Sequence, residues 1–162
     1  MDLTHEWFCR QIETNKTAMF RLARSILGRD ADAEDAVAEA VLRGWTHRNA
    51  LQKRESVKSW LMRITANESY RLASRQRDEL PLERQTGEPE APRQNMDEEL
   101  GLWEYVKALP ETLRAPVVLF YYEDLTVGEI ADILSLSPGA VKTRLSRARA
   151  LLRTWLQKEE SQ

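Results

Sequence analysis

Between Thr126 and Trp155 the chain writes two helices and the turn between them, and this stretch most limits what it can fold into. Thr126-Val127-Gly128-Glu129 fits a capping box, in which a threonine hydroxyl accepts the third helical amide and a glutamate three residues on reaches back. Ile130, Ala131, Ile133 and Leu134 follow as one apolar side of a short helix. Leu136 marks a turn, Ser137 can cap the next helix, and Pro138 takes its first position, where a missing N–H costs little. Val141, Leu145, Ala148, Leu152 and Trp155 then recur at spacings of four, three, four and three, a single inward stripe. The rest of that helix carries Lys142, Arg144, Arg147, Arg149 and Arg153, without an acid from Ala140 to Arg153, and the hydroxyls of Thr143 and Ser146.

A short helix, a tight turn and a basic second helix make a helix-turn-helix. The N-terminal part of its second helix enters the major groove. Gly139, Lys142, Thr143 and Ser146 are therefore the candidates for base edges, and Arg144, Arg147 and Arg149 for phosphates. A basic amphipathic helix alone equally suits a calmodulin-type target or a membrane surface. The capped helix before it turns the reading to DNA. Upstream, Leu109-Pro110-Glu111 opens another helix, and the apolar run from Val117 to Tyr121 reads as helical like its neighbours. Pro116 is expected at a helix start or a break rather than in an interior.

The front of the chain has no strand-like alternation. Met19, Phe20, Leu22, Ala23, Ile26 and Leu27 describe an amphipathic helix ended by Gly28. After the acidic turn Asp30-Ala31-Asp32, a second helix capped by Asp32 places Ala33, Val37, Val41 and Trp45 on one stripe. Glu34 and Asp35 lie in its first turn, where the helix dipole favours negative charge, and with Glu39 they also suit a basic protein partner. A third helix begins near Ser56 and buries Val57, Trp60, Leu61, Ile64 and Leu72. Its outer positions hold Lys58, Arg63, Arg71, Arg75 and Arg77, beside Asn67 and Tyr70. Cations for phosphates with rings and amides for exposed bases are what unpaired DNA requires. Trp60 fits a purely structural core position as well, and the arginines fit a solvated face.

Charge divides the chain in the same place as the helices do. The whole carries 24 Lys and Arg against 26 Asp and Glu, a net of −2 that by itself speaks against nucleic acid. By segment it is +4 over residues 1–77, with 14 basic and 10 acidic, and −6 over 78–100, with 2 and 8. Residues 101–162 hold 8 of each. The middle segment contains Pro81, Gly87, Pro89 and Pro92 among polar residues, which break helices and leave little to bury. The fold expected is all-α: two small helical domains, 1–77 and 101–162, joined by an acidic flexible linker, 78–100, the second domain holding the helix-turn-helix.

Several function classes are disfavoured. Cys9 is the one cysteine, so no internal disulfide forms, and with His5 and His47 it makes no nucleophile–base arrangement and no zinc cluster. No Gly-rich phosphate loop is present. No enzyme activity, metal, cofactor or small-molecule substrate is expected. The N-terminal stretch does not read as a signal peptide and no apolar run is long enough for a membrane span, so a cytoplasmic location without membrane insertion is expected.

Taken together, these residues resemble a bacterial RNA polymerase sigma factor of the sigma-70 family, in its extracytoplasmic-function group. The stretch from Ala33 to Trp45 is similar to the family's region 2.2, which grips the clamp coiled coil of the polymerase β′ subunit. Ser59 to Asn67 is similar to the start of the promoter-melting regions 2.3 and 2.4. Leu109 to Arg114, Tyr122 to Thr126, Glu129 to Ala131 and Ala140 to Arg149 are similar to region 4, which recognises the −35 element. The resemblance spans both domains in the right order.

It implies that Glu34, Asp35, Glu39, Leu42, Arg43 and Trp45 meet core polymerase, at the β′ clamp, with the β flap as a further contact of the factor. It implies that Trp60, Arg63, Asn67, Tyr70, Arg71 and Arg75, with the loop from Asn49 to Glu55, engage the −10 element. The last helix would read the −35 element. An anti-sigma factor is the partner expected when polymerase is absent. The chain departs from the family at Ala38, where glutamine is usual, at Ala66, where arginine is usual, at Arg71 for aspartate, and at Ala140 for threonine. The rival readings are a helix-turn-helix regulator acting as a homodimer on duplex DNA, and a helical adaptor for acidic proteins.

Overall fold

The computed structural model describes residues 3–79, 89–92 and 101–160, with side chains to 158. Among them are seven α-helices and no strand: α1 (His5–Leu27), α2 (Asp30–Thr46), α3 (Val57–Glu79), α4 (Leu102–Ala108), α5 (Glu111–Val117), α6 (Val127–Leu134) and α7 (Pro138–Glu160). The all-α expectation is met. The expected linker lies largely outside the described residues, apart from Asp78 and Glu79, which extend α3, and residues 89–92, which have no regular structure.

α1, α2 and α3 pack mutually to form a front lobe. α1 starts well before its Met19 stripe, because Thr4 Oγ1 accepts the Trp7 amide at 3.1 Å and Phe8 is buried on the inner side. It ends at Gly28, whose φ of 79° is the left-handed geometry that only glycine adopts without strain. The chain re-enters helix at once. α2 therefore begins at Asp30, two residues before the expected cap, and Asp30 and Asp32 both lie in its first turn while Arg29 occupies the cap position without a side-chain bond.

The buried side of α2 is also turned from the expected stripe. It consists of Ala33, Ala36, Ala40 and Gly44, with Val37, Val41 and Trp45 half-buried beside it. Small residues let helix axes approach: a Cβ on Gly44 would meet Phe8 Cζ at 3.4 Å. Met19, Leu22, Leu61 and Met62 fill the space so closed. α3 buries Val57, Leu61, Met62, Thr65 and Ala66, with Trp60, Ile64 and Leu72 partly covered. Ala66, at one of the places where the chain departs from the resemblance, is buried.

α4 to α7 make the back lobe. α4 carries no long stripe to announce it, but Tyr105 and Val106 are buried. Pro116 sits inside α5, contrary to expectation. Proline has no N–H to give the carbonyl four residues back. That carbonyl, of Thr112, instead lies 3.4 Å from the donating Arg144 Nη1 of α7. The helix continues as a π-helical turn, Val118–Tyr122, closed by the Glu123 amide on the Val118 carbonyl at 3.2 Å.

The helix-turn-helix forms as expected. Glu129 N–H donates to Thr126 Oγ1 and Thr126 N–H to Glu129 Oε1, both at 3.1 Å, completing the capping box. The bond from the Thr126 amide, foremost, holds the Glu129 carboxyl below its ordinary pKa, and the Thr126 and Ser59 hydroxyls act in the same direction. Ser135 takes a left-handed φ of 55° to end α6, and Ser137 Oγ accepts the Ala140 amide at 3.1 Å to start α7. Val141, Leu145, Ala148 and Trp155 are buried.

The lobes are not beads on a string. α1 packs on α5 and on the π-helical turn, and α3 packs on α6.

Candidate nucleic-acid and polymerase interfaces

α7 presents its basic side outward because its apolar stripe is spent on α5 and α6. Gly139, Lys142, Thr143, Ser146, Arg147 and Arg149 are all exposed on its first half. The capped turn fixes where that half projects. Arg149 Nη1 also donates to the Tyr121 hydroxyl at 3.1 Å, which ties its guanidinium to the π-helical turn. Arg144 differs from the others in being half-buried and turned toward α5.

On α3, Trp60, Arg63, Asn67, Tyr70 and Arg71 fall at three- and four-residue spacings, one strip of the helix surface. Arg63, Asn67, Arg71 and Arg75 are exposed, whereas Trp60 and Tyr70 are half-buried. Trp60 and Arg63 line a cleft of about 600 Å³ with Leu51 and Lys53 of the preceding loop. The far wall of that cleft comes from the other lobe, as Glu129, Asp132 and Ile133 of α6. Tyr70 faces the lobe junction. Burial pushes its hydroxyl up to about 12 from 10, against the pull of Arg144 and Arg114 and with the push of Glu111. One residue expected at each DNA-reading surface, Tyr70 and Arg144, thus share a single electrostatic neighbourhood.

On α2, Glu34, Asp35, Glu39 and Leu42 are exposed, and Leu42 is 63% accessible, a large apolar side chain left in solvent. Arg43 and Trp45 are half-buried and engaged within the lobe. Arg43 Nε lies 3.2 Å from Glu39 Oε1 and 2.8 Å from Glu68 Oε1, so it ties α2 to the buried Glu68 of α3. The Trp45 ring is packed against Phe8 and His5 and lies under the Arg48 guanidinium at 3.9 Å. Arg71 reaches the same Glu68 at 3.5 Å.

The long-range pairings at these surfaces gave no signal in the sequence. Arg21 of α1 donates to Glu123 across 102 residues of chain, and Lys58 Nζ reaches Glu123 Oε2 at 3.4 Å and its carbonyl at 3.3 Å. Ser59 Oγ donates to Glu129 Oε2 at 3.3 Å, and Arg77 Nη2 to Glu111 at 2.5 and 2.6 Å. Ion pairs between distant segments have no periodicity to betray them. Among the described residues no group of His, Cys, Asp and Glu is placed to hold a metal ion, and no helix is long and apolar enough to cross a membrane.

Residues 11–79 match the family model for sigma-70 region 2, and residues 100–152 the model for sigma-70 region 4. The chain is 30% identical over 151 residues to the RNA polymerase sigma-E factor of Streptomyces coelicolor, covering 90% of this chain and 84% of that one. It is 29% identical over 150 residues to the RNA polymerase sigma factor SigV of Bacillus subtilis, covering 92% and 90%. Its fold is similar to that of the sigma factor RpoE of Bartonella quintana, solved with the anti-sigma factor NepR, at a TM-score of 0.73, 23% identity, and coverage of 93% and 96%.

Proposed function

The chain belongs to the sigma-70 family of bacterial RNA polymerase sigma factors, in its extracytoplasmic-function group, and on that premise we propose how its residues divide the work of a promoter-specificity subunit. α7 enters the −35 major groove, with Lys142, Thr143 and Ser146 at base edges beside Gly139, and with Arg147 and Arg149 on phosphates. The strip of Trp60, Arg63, Asn67, Tyr70, Arg71 and Arg75 engages the −10 element, where the guanidiniums meet phosphates and Trp60 stacks on an unpaired base from the cleft it lines. Glu34, Asp35, Glu39 and Leu42 dock on the β′ clamp, with Arg43 holding the face in register through Glu68. The back lobe meets the β flap. An anti-sigma protein is the partner proposed for the polymerase-free state, and the cytoplasm, where the polymerase works, is the proposed location. The chain contributes binding and melting, and nucleotide addition belongs to the polymerase.

The observation that carries this reading is the capped α6–turn–α7 unit, which leaves a basic, hydroxyl-bearing helix start in solvent. Reconstitution with core polymerase on a promoter library tests it, and transcripts starting at a defined distance from a shared pair of elements are the expected result. Asp35→Lys with Glu39→Lys is expected to weaken core binding at least tenfold by fluorescence anisotropy, and full retention would remove α2 from the clamp interface. A homodimer bound to a palindromic duplex without polymerase would favour the regulator reading instead.

A further inference from the structure

Tyr121 is a large ring left in solvent that packing does not account for. It lies in the π-helical turn and is 47% exposed, while its neighbours Phe120 and Tyr122 are half-buried against the core. Its ring rests edge-on against Phe120 at 4.9 Å, which steadies its direction without covering it. The hydroxyl oxygen accepts from Arg149 Nη1 at 3.1 Å. Its own proton has no acceptor among the described residues. Nor, among those residues, does Arg149 have a carboxylate at ion-pair distance, in contrast to Arg21, Arg24, Arg43 and Arg71. An uncompensated guanidinium beside an O–H without an acceptor is a pair of donors for one anion. Gly139, Lys142, Ser146 and Arg149 recur at spacings of three, four and three, so Arg149 continues the side of α7 on which the groove contact starts. It stands about 10 Å beyond Lys142 along the helix, at 1.5 Å per residue. A major groove is about 12 Å wide, so a helix with Lys142 over base edges brings Arg149 to the backbone at the groove's rim.

We propose that Tyr121 is a DNA-contacting residue of the −35 interface: with Arg149 it forms a two-pronged site for one backbone phosphate, to which the guanidinium brings charge and the phenol a directed O–H. The bond already made between the two side chains holds the guanidinium in place before DNA arrives, so less ordering is left for binding to supply. It also polarises the phenol, which donates the more strongly for accepting. The phenol is neutral and releases no counterion, so it adds affinity without adding salt dependence. The inference rests on the placement of α7 in the −35 groove made above.

The test uses the full chain with core polymerase and a duplex carrying the −35 half of a promoter that this holoenzyme selects. Tyr121→Phe removes only the hydroxyl and is expected to weaken binding about tenfold with the salt slope unchanged. Arg149→Gln is expected to weaken it at least tenfold and to lower the slope by about one. Methylphosphonates, which neutralise one phosphate at a time, then locate the contact. At the one position where Arg149→Gln no longer matters, Tyr121→Phe is expected to bind like wild type as well. The free Tyr121→Phe chain is expected to keep the wild-type melting temperature. Wild-type affinity in Tyr121→Phe beside a loss in Arg149→Gln would overturn the proposal and leave the −35 reading standing. A loss in Tyr121→Phe that no methylphosphonate abolishes, or one accompanied by a lower melting temperature, would make the hydroxyl structural and overturn it too. If Arg149→Gln changes neither affinity nor slope, the phosphate assignment on α7 fails and the proposal falls with it.

Discussion

Tyr70 shows how far a single residue's chemistry depends on which surface it meets. Its spacing with Arg63 and Asn67 puts it on the strip of α3 that carries the other DNA-facing residues. In the closed fold it is packed at the lobe junction, and desolvation raises its hydroxyl to about 12 from 10. A folded-state value above the unfolded one means a contribution to stability that is complete below pH 10 and is lost as pH rises toward 12. Urea denaturation at stepped alkaline pH is expected to show a steeper loss of stability for wild type than for Tyr70→Phe. Equal slopes would mean that the ring is solvated and the junction open. At this scale the sequence was informative where a bond is local. Thr126, Glu129 and Ser137 could be read as caps because their partners lie three residues away. Arg21 and Glu123 could not be paired from sequence, since each is an ordinary charged residue until the fold brings them together.

Among the elements, α7 was the most legible and α2 the most misleading. A stripe of Val141, Leu145, Ala148 and Trp155 has one way to face inward. In α2 both the alanines and the valines recur at helical spacing, and packing decides between them: the smaller set goes to the contact, because Gly44 and Ala40 allow α1 and α3 to close in. α4 is seven residues long, too short for periodicity to declare it. Pro116 was read as a boundary, yet α5 keeps it inside, with Arg144 set on the carbonyl that it leaves without a helical donor. This splits the basic residues of α7 by role. Arg147→Ala is expected to weaken duplex binding and to reduce the salt slope by about one, as loss of a phosphate contact does. Arg144→Ala is expected to lower the melting temperature and to leave the salt slope as it was. A slope reduced equally by both substitutions would return Arg144 to the phosphates.

At the scale of the molecule, the charge pattern marks an acidic middle segment between two helical halves, while the apposition of the lobes has no sign in the sequence. The net charge of −2 conceals a basic front and a back half whose acids and bases balance. In the fold, acids of the back lobe meet bases of the front one at Glu123 and Glu111, and Glu129 accepts from the Ser59 hydroxyl. Small lobes bury a limited share of their surface alone, so each gains stability from the other. Calorimetry of wild type is expected to show one unfolding transition, and Glu123→Gln two, because the lobes then melt independently. Two transitions in wild type would mean that the contact is too weak to couple them.

The π-helical turn gives that contact a peculiar tolerance. A π turn is an α-helix carrying one surplus residue, which its wider turn absorbs. Removing any one of Val118 to Tyr122 would therefore let the segment relax to ordinary helical pitch with everything beyond it in about the same phase, so that Glu123 still faces Arg21 and Lys58. In an ordinary helix the same deletion would swing everything beyond by about 100° around the axis. Chain length at this one turn is thus free to vary by a residue, where elsewhere in the segment it fixes the phase between the lobes.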